Sequence, residues 1–135
     1  MVTGVEAKRI LIVDDEAELT ESLIPIFMQN GYDVRIAVSA EEAIDSIATW
    51  IPDLALIDVG LPRMNGIDLA VAVRKVQPNC RVVLFSGQET TEELLTEAAR
   101  QGNVFEFLAK PLHPLFMLDY VASRLAARPP KKLAN

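Results

Sequence analysis

The sequence predicts an α/β fold, a doubly wound parallel sheet of five strands alternating with five helices. Two observations carry this. Three short apolar runs, Arg9 to Val13, Leu54 to Ile57 and Val82 to Phe85, are continuous rather than alternating, the mark of central parallel strands covered on both faces. The segments between them repeat their apolar residues at helical spacing, the pattern of strand–helix–strand units. A third observation concerns chemistry. The runs end in polar groups, Asp14-Asp15, Asp58 and Ser86, and Lys110 stands at a fourth strand end. With 135 residues the chain is long enough for one domain with a real core.

The first strand, Arg9 to Val13, leads into Asp14, Asp15 and Glu16. The helix after it carries Leu19, Leu23, Ile26 and Phe27 on one side. Pro25 falls inside this pattern and predicts a kink or an irregular turn, and Asn30-Gly31 is the stop. Asp33 to Ala37 alternates apolar and polar and suits a sheet edge. Ser39 with Glu42 three residues on is a capping box, opening a helix with Ala43, Ile44, Ile47, Ala48 and Ile51 expected on one face. Trp50 packs at its end and Pro52 follows the stop. The third strand runs from Leu54 to Asp58, and Asn65-Gly66 marks the turn beyond it. Ile67, Ala70, Val71 and Arg74 predict a third helix, ended by Gln77-Pro78-Asn79. The fourth strand, Val82 to Phe85, leads into Ser86-Gly87. Thr90 with Glu93 forms a second capping box, and its helix carries Leu94, Leu95, Ala98 and Ala99 up to Gly102. Val104 to Ala109 alternates and predicts the other edge strand. Pro114 suits the first turn of the last helix, with Leu115, Leu118, Val121, Ala122 and Leu125 expected inward. Alternating strands at the edges and apolar ones in the middle give the flavodoxin-like order 2-1-3-4-5. The expected domain covers residues 8–127. Residues 128–135 read as a short tail or the start of a linker, and Met1 reads as a natural start.

Composition narrows the functions. A formal net charge of −6 argues against direct nucleic-acid binding, which needs a basic face; Lys131-Lys132 is too short for one. The single cysteine, Cys80, excludes an internal disulfide and reads as a small buried hydrophobe. No apolar run approaches a membrane span, and residues 1–8 lack a signal-peptide core, so the cytoplasm is the expected compartment. His113, the single histidine, reads as a loop or cap residue.

The strand ends bring Asp14, Asp15 and Asp58 together, three carboxylates that repel one another unless a cation intervenes. An oxygen-only ligand set with no histidine or cysteine suggests Mg²⁺. Lys110 adds a fixed cation and Ser86 a hydroxyl, both matched to phosphoryl oxygens. Phosphoryl transfer needs mainly this positioning and charge stabilisation, and a carboxylate nucleophile gives an acyl phosphate. Plainer readings stand beside this one. Acids favour a helix N-terminus, Ser86 suits a helix entry, Lys110 could be a solvated strand-end charge, and Phe107 could simply pack.

Asp14-Asp15, Asp58, Ser86 and Lys110-Pro111, in this order on four strand ends, resemble the defining set of the receiver domain of two-component response regulators. The resemblance covers about residues 8–127. It implies that Asp58 is the phosphoacceptor, that Asp15 binds Mg²⁺ directly and Asp14 through water, and that the backbone carbonyl of Gly60 is a further ligand. It implies that Lys110 pairs with phosphoryl oxygens, with a cis peptide bond to Pro111. Ser86 would be the switch hydroxyl and Phe107 the switch aromatic, turning inward and altering the face formed by the fourth helix, fifth strand and fifth helix. That face is also the expected homodimer surface. The implied phosphoryl donor is a phosphohistidine on a sensor histidine kinase or histidine phosphotransfer protein, docked on the first helix. No turnover of an external substrate is expected.

Three departures bear on this. Asn65 replaces a common aspartate before Gly66, and only turn chemistry matters there. Pro25 interrupts the helix on which the kinase would dock. The resemblance implies that self-dephosphorylation is tuned partly at the positions of Gly60 and Gln88, and neither side chain is an anionic base. The alternative function is a pseudo-receiver, a phosphorylation-independent interaction module. It normally lacks an acid or the lysine, and none is missing here. A phosphatase of the haloacid dehalogenase type needs an aspartate where Gly60 stands. A flavin carrier needs an uncharged phosphate loop where Asp14, Asp15 and Glu16 stand.

Overall fold

The predicted alternation is present in the computed structural model, which describes residues 7–87, 91–110 and 113–126. The elements are β1 (Arg9–Val13), α1 (Ala17–Gln29), β2 (Asp33–Ala37), α2 (Ala40–Thr49), β3 (Leu54–Asp58), α3 (Gly66–Val76), β4 (Arg81–Ser86), α4 (Thr91–Arg100), β5 (Glu106–Ala109) and α5 (Pro114–Ala126). The sheet is parallel in the order β2-β1-β3-β4-β5, the flavodoxin-like arrangement. β3 is buried along its whole length, and β1 and β4 are buried beyond their first residues, whereas β2 and β5 are only partly buried. Continuous apolar strands take the centre because both their faces are covered, and alternating ones take the rims.

Two apolar layers flank the sheet. Leu23 and Phe27 of α1 and Met117 and Val121 of α5 pack with Ile10, Ile12, Leu54, Leu56, Val83 and Phe85 on one face. α2, α3 and α4 cover the other, on Leu11, Val13, Ala55, Ile57 and Leu84. Successive residues of one strand therefore serve opposite layers.

Local chemistry sets the helix ends. The Ser39 hydroxyl accepts the Glu42 N–H at 3.1 Å, so the predicted cap of α2 is in place. Ser39→Ala is expected to lower stability by about 1 kcal/mol, read as a shift in a urea melt with unchanged slope. Thr90 of the other capping box lies outside the described residues. α1 and α4 each end in a paired carbonyl bridge. Tyr32 N–H reaches Phe27 O while Gly31 N–H reaches Met28 O, and Asn103 reaches Ala98 while Gly102 reaches Ala99. Both motifs need a left-handed residue, supplied by Gly31 and Gly102 at φ +89° and +87°. His113 caps α5, its Nδ1 accepting the Leu115 N–H at 3.1 Å. Cys80 is buried, and burial pushes its thiol up to about 12, the state of an inert core residue.

Pro25 lies inside α1, which runs to Gln29; the ring sits on the exposed side, where water can satisfy the carbonyl it leaves unbonded. Several expectations are corrected. The buried face of α2 is Ala40, Ala43 and Ile47, continued by Trp50. Ile44 is 38% and Ile51 56% exposed, and Ala48 is also outside. Trp50 and Ile47 are buried in the same apolar layer. In α3, Leu69 and Val73 are buried beside Ile67 and Ala70, and Val71 is only half-buried. Ala99 of α4 is exposed, and Ala98 with Leu94 and Leu95 makes the contact. In α5, Met117 takes the core position expected of Leu115, and Leu115 and Ala122 face outward. β5 begins at Glu106, because its ladder with β4 starts at the Val83–Glu106 pair. Val104 is 72% exposed and gives its carbonyl to Arg74 instead.

Candidate functional site

The carboxyl ends of β1, β3, β4 and β5 carry Asp14, Asp58, Ser86 and Lys110 side by side. The parallel register fixes this: Val13 pairs Ile57, Asp58 pairs Phe85, and Ser86 pairs Ala109. Lys110 N–H donates to the Ser86 carbonyl at 2.9 Å, which seats the lysine beside β4. An open pocket of about 360 Å³ forms between Asp15, Glu16, Asp58, Gly60, Gly87 and Lys110. A larger groove, about 550 Å³, lies at the opposite ends of β4 and β5 around Arg74, Arg81 and Phe105, with Glu106 as its one carboxylate.

Lys110 ties the strand ends together. Its Nζ lies 3.2 Å from Glu16 Oε1, 3.5 Å from Asp58 Oδ2 and 3.7 Å from Asp14 Oδ2, and 5.0 Å from the centre of the Phe85 ring. Burial alone would lower its pKa, but the surrounding Asp58, Asp14 and Glu16 carboxylates outweigh that and raise it, so the ammonium stays charged. The carboxylates are held by their own loops: Asp14 Oδ1 accepts the Glu16 N–H at 2.9 Å and Asp58 Oδ1 the Gly60 N–H at 3.1 Å.

Asp58 lines the pocket and is buried, and Asp14 is buried beside it. Burial, aided by the charge of Asp58, pushes Asp14 up to about 6, against the Glu16 N–H and Lys110, which favour its ionised form. Its Oδ2 is buried with no hydrogen-bond partner among the described residues. Carboxylate oxygens of Asp14, Glu16 and Asp58 lie within 4.8 Å of one another. Clustered oxygen donors, one of them buried and unsatisfied, fit a hard divalent cation.

The predicted residues are placed as follows. Asp14, Asp58 and Lys110 meet directly, and Gly60 lines the pocket with Asp58 and Lys110. Asp15 also lines it but is exposed and lies outside the tight carboxylate group. Glu16 stands in that group too, a role its sequence marks only by its place one step past a strand-end acid pair facing a strand-end lysine. Ser86 is buried at the last position of β4. Phe107 is half-buried, packed on the α2–α4 side of the sheet. Pro111 and Gln88 lie outside the described residues.

Gly66 sets the pocket floor from behind. A Cβ there would meet the Asp58 carbonyl oxygen at 2.1 Å and Val59 Cα at 2.7 Å, while its N–H donates to Val59 O at 2.9 Å. Gly66→Ala must push backbone away from the acceptor strand. It is expected to cost about 3 kcal/mol or more in denaturant melts.

A carboxyl-end pocket of acids and a lysine puts the molecule in the class of doubly wound α/β domains that handle charged ligands at their strand ends. Within that class the chain belongs to the response regulator receiver domain family, which it matches over residues 10–122, and so is a receiver domain of two-component signalling. It is similar to the chemotaxis protein CheY of Thermotoga maritima, with 34% identity over 110 residues covering 79% of this chain and 88% of that protein. It is 30% identical over 119 residues to the response regulator MprA of Mycolicibacterium vanbaalenii, covering 88% of this chain. The chain spans about half (49%) of the length of MprA. A CheY-like receiver domain protein from Methanospirillum hungatei superposes with a TM-score of 0.79 at 30% identity, over 89% of this chain and 94% of that one.

No helix among the described residues is long and apolar enough to cross a membrane.

Proposed function

We propose that this domain is a phosphorylation switch in which Asp58 takes a phosphoryl group from a phosphohistidine on a sensor histidine kinase or histidine phosphotransfer protein. The observation that carries this reading is the buried Asp58 carboxylate with Lys110 Nζ at 3.5 Å and Asp14 beside it. Asp58 attacks phosphorus through a carboxylate oxygen. A P–O bond forms, the P–N bond breaks, and its electron pair stays on the imidazole nitrogen, which takes up a proton from water. Lys110 holds the transferred oxygens by charge and hydrogen bonding. Asp15 and Asp58, the Gly60 carbonyl, and Asp14 through water would hold Mg²⁺. Bound there, the cation neutralises charge on the transferred group. Ser86, at the end of β4 beside Lys110, acts as the switch hydroxyl, and Phe107 follows it, changing the α4–β5–α5 face that meets an output partner or a second copy. The domain is a phosphoacceptor acting in the cytoplasm, not an enzyme turning over an external substrate.

The test is intact mass after incubation with Mg²⁺ and a small acyl phosphate. A gain of one phosphoryl group, lost when the metal is chelated, supports the reading. A folded protein that gains none under these conditions favours a phosphorylation-independent interaction module.

A further inference from the structure

We propose that Glu16 is a positioning residue that holds Lys110 toward the pocket mouth and must release it when the acyl phosphate forms, so that it tightens cation binding while slowing phosphoryl uptake. This rests on the phosphoacceptor reading of Asp58. Glu16 occupies the N-cap position of α1, yet its side chain makes no cap hydrogen bond. Glutamate is a poor cap, and here its carboxylate turns to Lys110 instead, at 3.2 Å, the shortest of the lysine's three ion pairs among the described residues. Among the described residues Lys110 is its one hydrogen-bond partner.

The three carboxylates around the ammonium are not equally free to leave. Asp14 is sealed in and fixed by the Glu16 N–H, and Asp58 is buried and fixed by the Gly60 N–H. The Glu16 side chain is 64% exposed, against 20% for Lys110. An ammonium has three donors, and here it stands 3.2, 3.5 and 3.7 Å from Glu16, Asp58 and Asp14, with Glu16 accepting its hydrogen bond. Phosphoryl oxygens arriving on Asp58 need some of that bonding, and Glu16 yields it at least cost, because water replaces its partner. Its charge also acts in opposite senses on the two ligands. Grouped within 4.8 Å of Asp14 and Asp58 oxygens, it attracts a divalent cation and repels a phosphoryl dianion.

The opposed signs make the test. Glu16→Gln keeps the shape and removes the charge. Its Mg²⁺ dissociation constant, by calorimetry on the unphosphorylated protein, is expected to rise about 3- to 10-fold. Its initial phosphorylation rate with a small acyl phosphate at saturating Mg²⁺ is expected to rise by about the same factor. Glu16→Asp keeps the charge but shortens the reach, so it should hold Mg²⁺ near the wild-type affinity and still be phosphorylated faster. A merely structural role would move both readouts the same way. Uptake by the wild type with unchanged or slower uptake by Glu16→Gln at saturating metal overturns the role of Glu16 alone. No uptake by the wild type overturns the phosphoacceptor reading, and the role of Glu16 with it.

Discussion

Asp58→Asn is expected to abolish metal-dependent phosphoryl uptake, a loss of at least about a hundredfold in initial rate, while leaving the fold intact. The amide is close in size, and its oxygen can still accept the Gly60 N–H that now reaches Asp58 Oδ1 at 3.1 Å. What is lost is the anionic nucleophile, which no neighbour replaces. Asp14 lies deeper and is fixed by its own loop, and Glu16 is engaged with Lys110. The variant also removes one of the two charges that raise the Lys110 pKa together with Glu16. The measurement is the time course of phosphoryl incorporation for both proteins under identical metal and donor. Circular dichroism confirms that the variant is folded.

Asp14→Asn is expected to stabilise the metal-free domain by about 1–3 kcal/mol at pH 7 and to weaken Mg²⁺ binding at least about tenfold. Burial raises the Asp14 pKa in the folded protein from 3.8 to about 6. Between those values the unfolded chain has released the proton and the folded protein still holds it. Stability therefore falls as pH rises through this window and stays lower above it. Asparagine carries no charge, so that fall should be missing from the variant's pH–stability curve. Adding the cation should stabilise the wild type by mass action and the variant much less. Chemical melts in chelator at pH 4.5 and 7, and again with Mg²⁺ at pH 7, give all these differences.

The sheet order was legible because burial on two faces leaves a strong imprint: β1, β3 and β4 are runs of apolar residues and β2 and β5 are not. The site was legible for a related reason. A carboxylate, a hydroxyl or a lysine directly after a buried strand has a defined location, and parallel register brings such ends into one pocket. Helix faces were harder. On α2 two apolar stripes, Ala40-Ala43-Ile47 and Ile44-Ala48, compete on one short helix, and only tertiary packing decides between them. On α5 the same ambiguity put Leu115 inward where Met117 packs. The start of β5 was misjudged because Val104 has strand character but no ladder partner. Glu16 is hard to read from sequence because one side chain decides its role: it reaches across to Lys110 rather than capping α1, a long-range contact to which its place after a strand-end acid pair is the one local pointer.

The most direct measurement of the central claim locates the covalent bond. Protein phosphorylated in Mg²⁺ is treated with borohydride, which reduces an aspartyl phosphate to homoserine, and its peptides are mapped by mass. The account predicts homoserine at position 58 and at no other aspartate. A phosphoryl group found on Ser86 or His113, or homoserine at Asp14 or Asp15 with Asp58 unmodified, would contradict it.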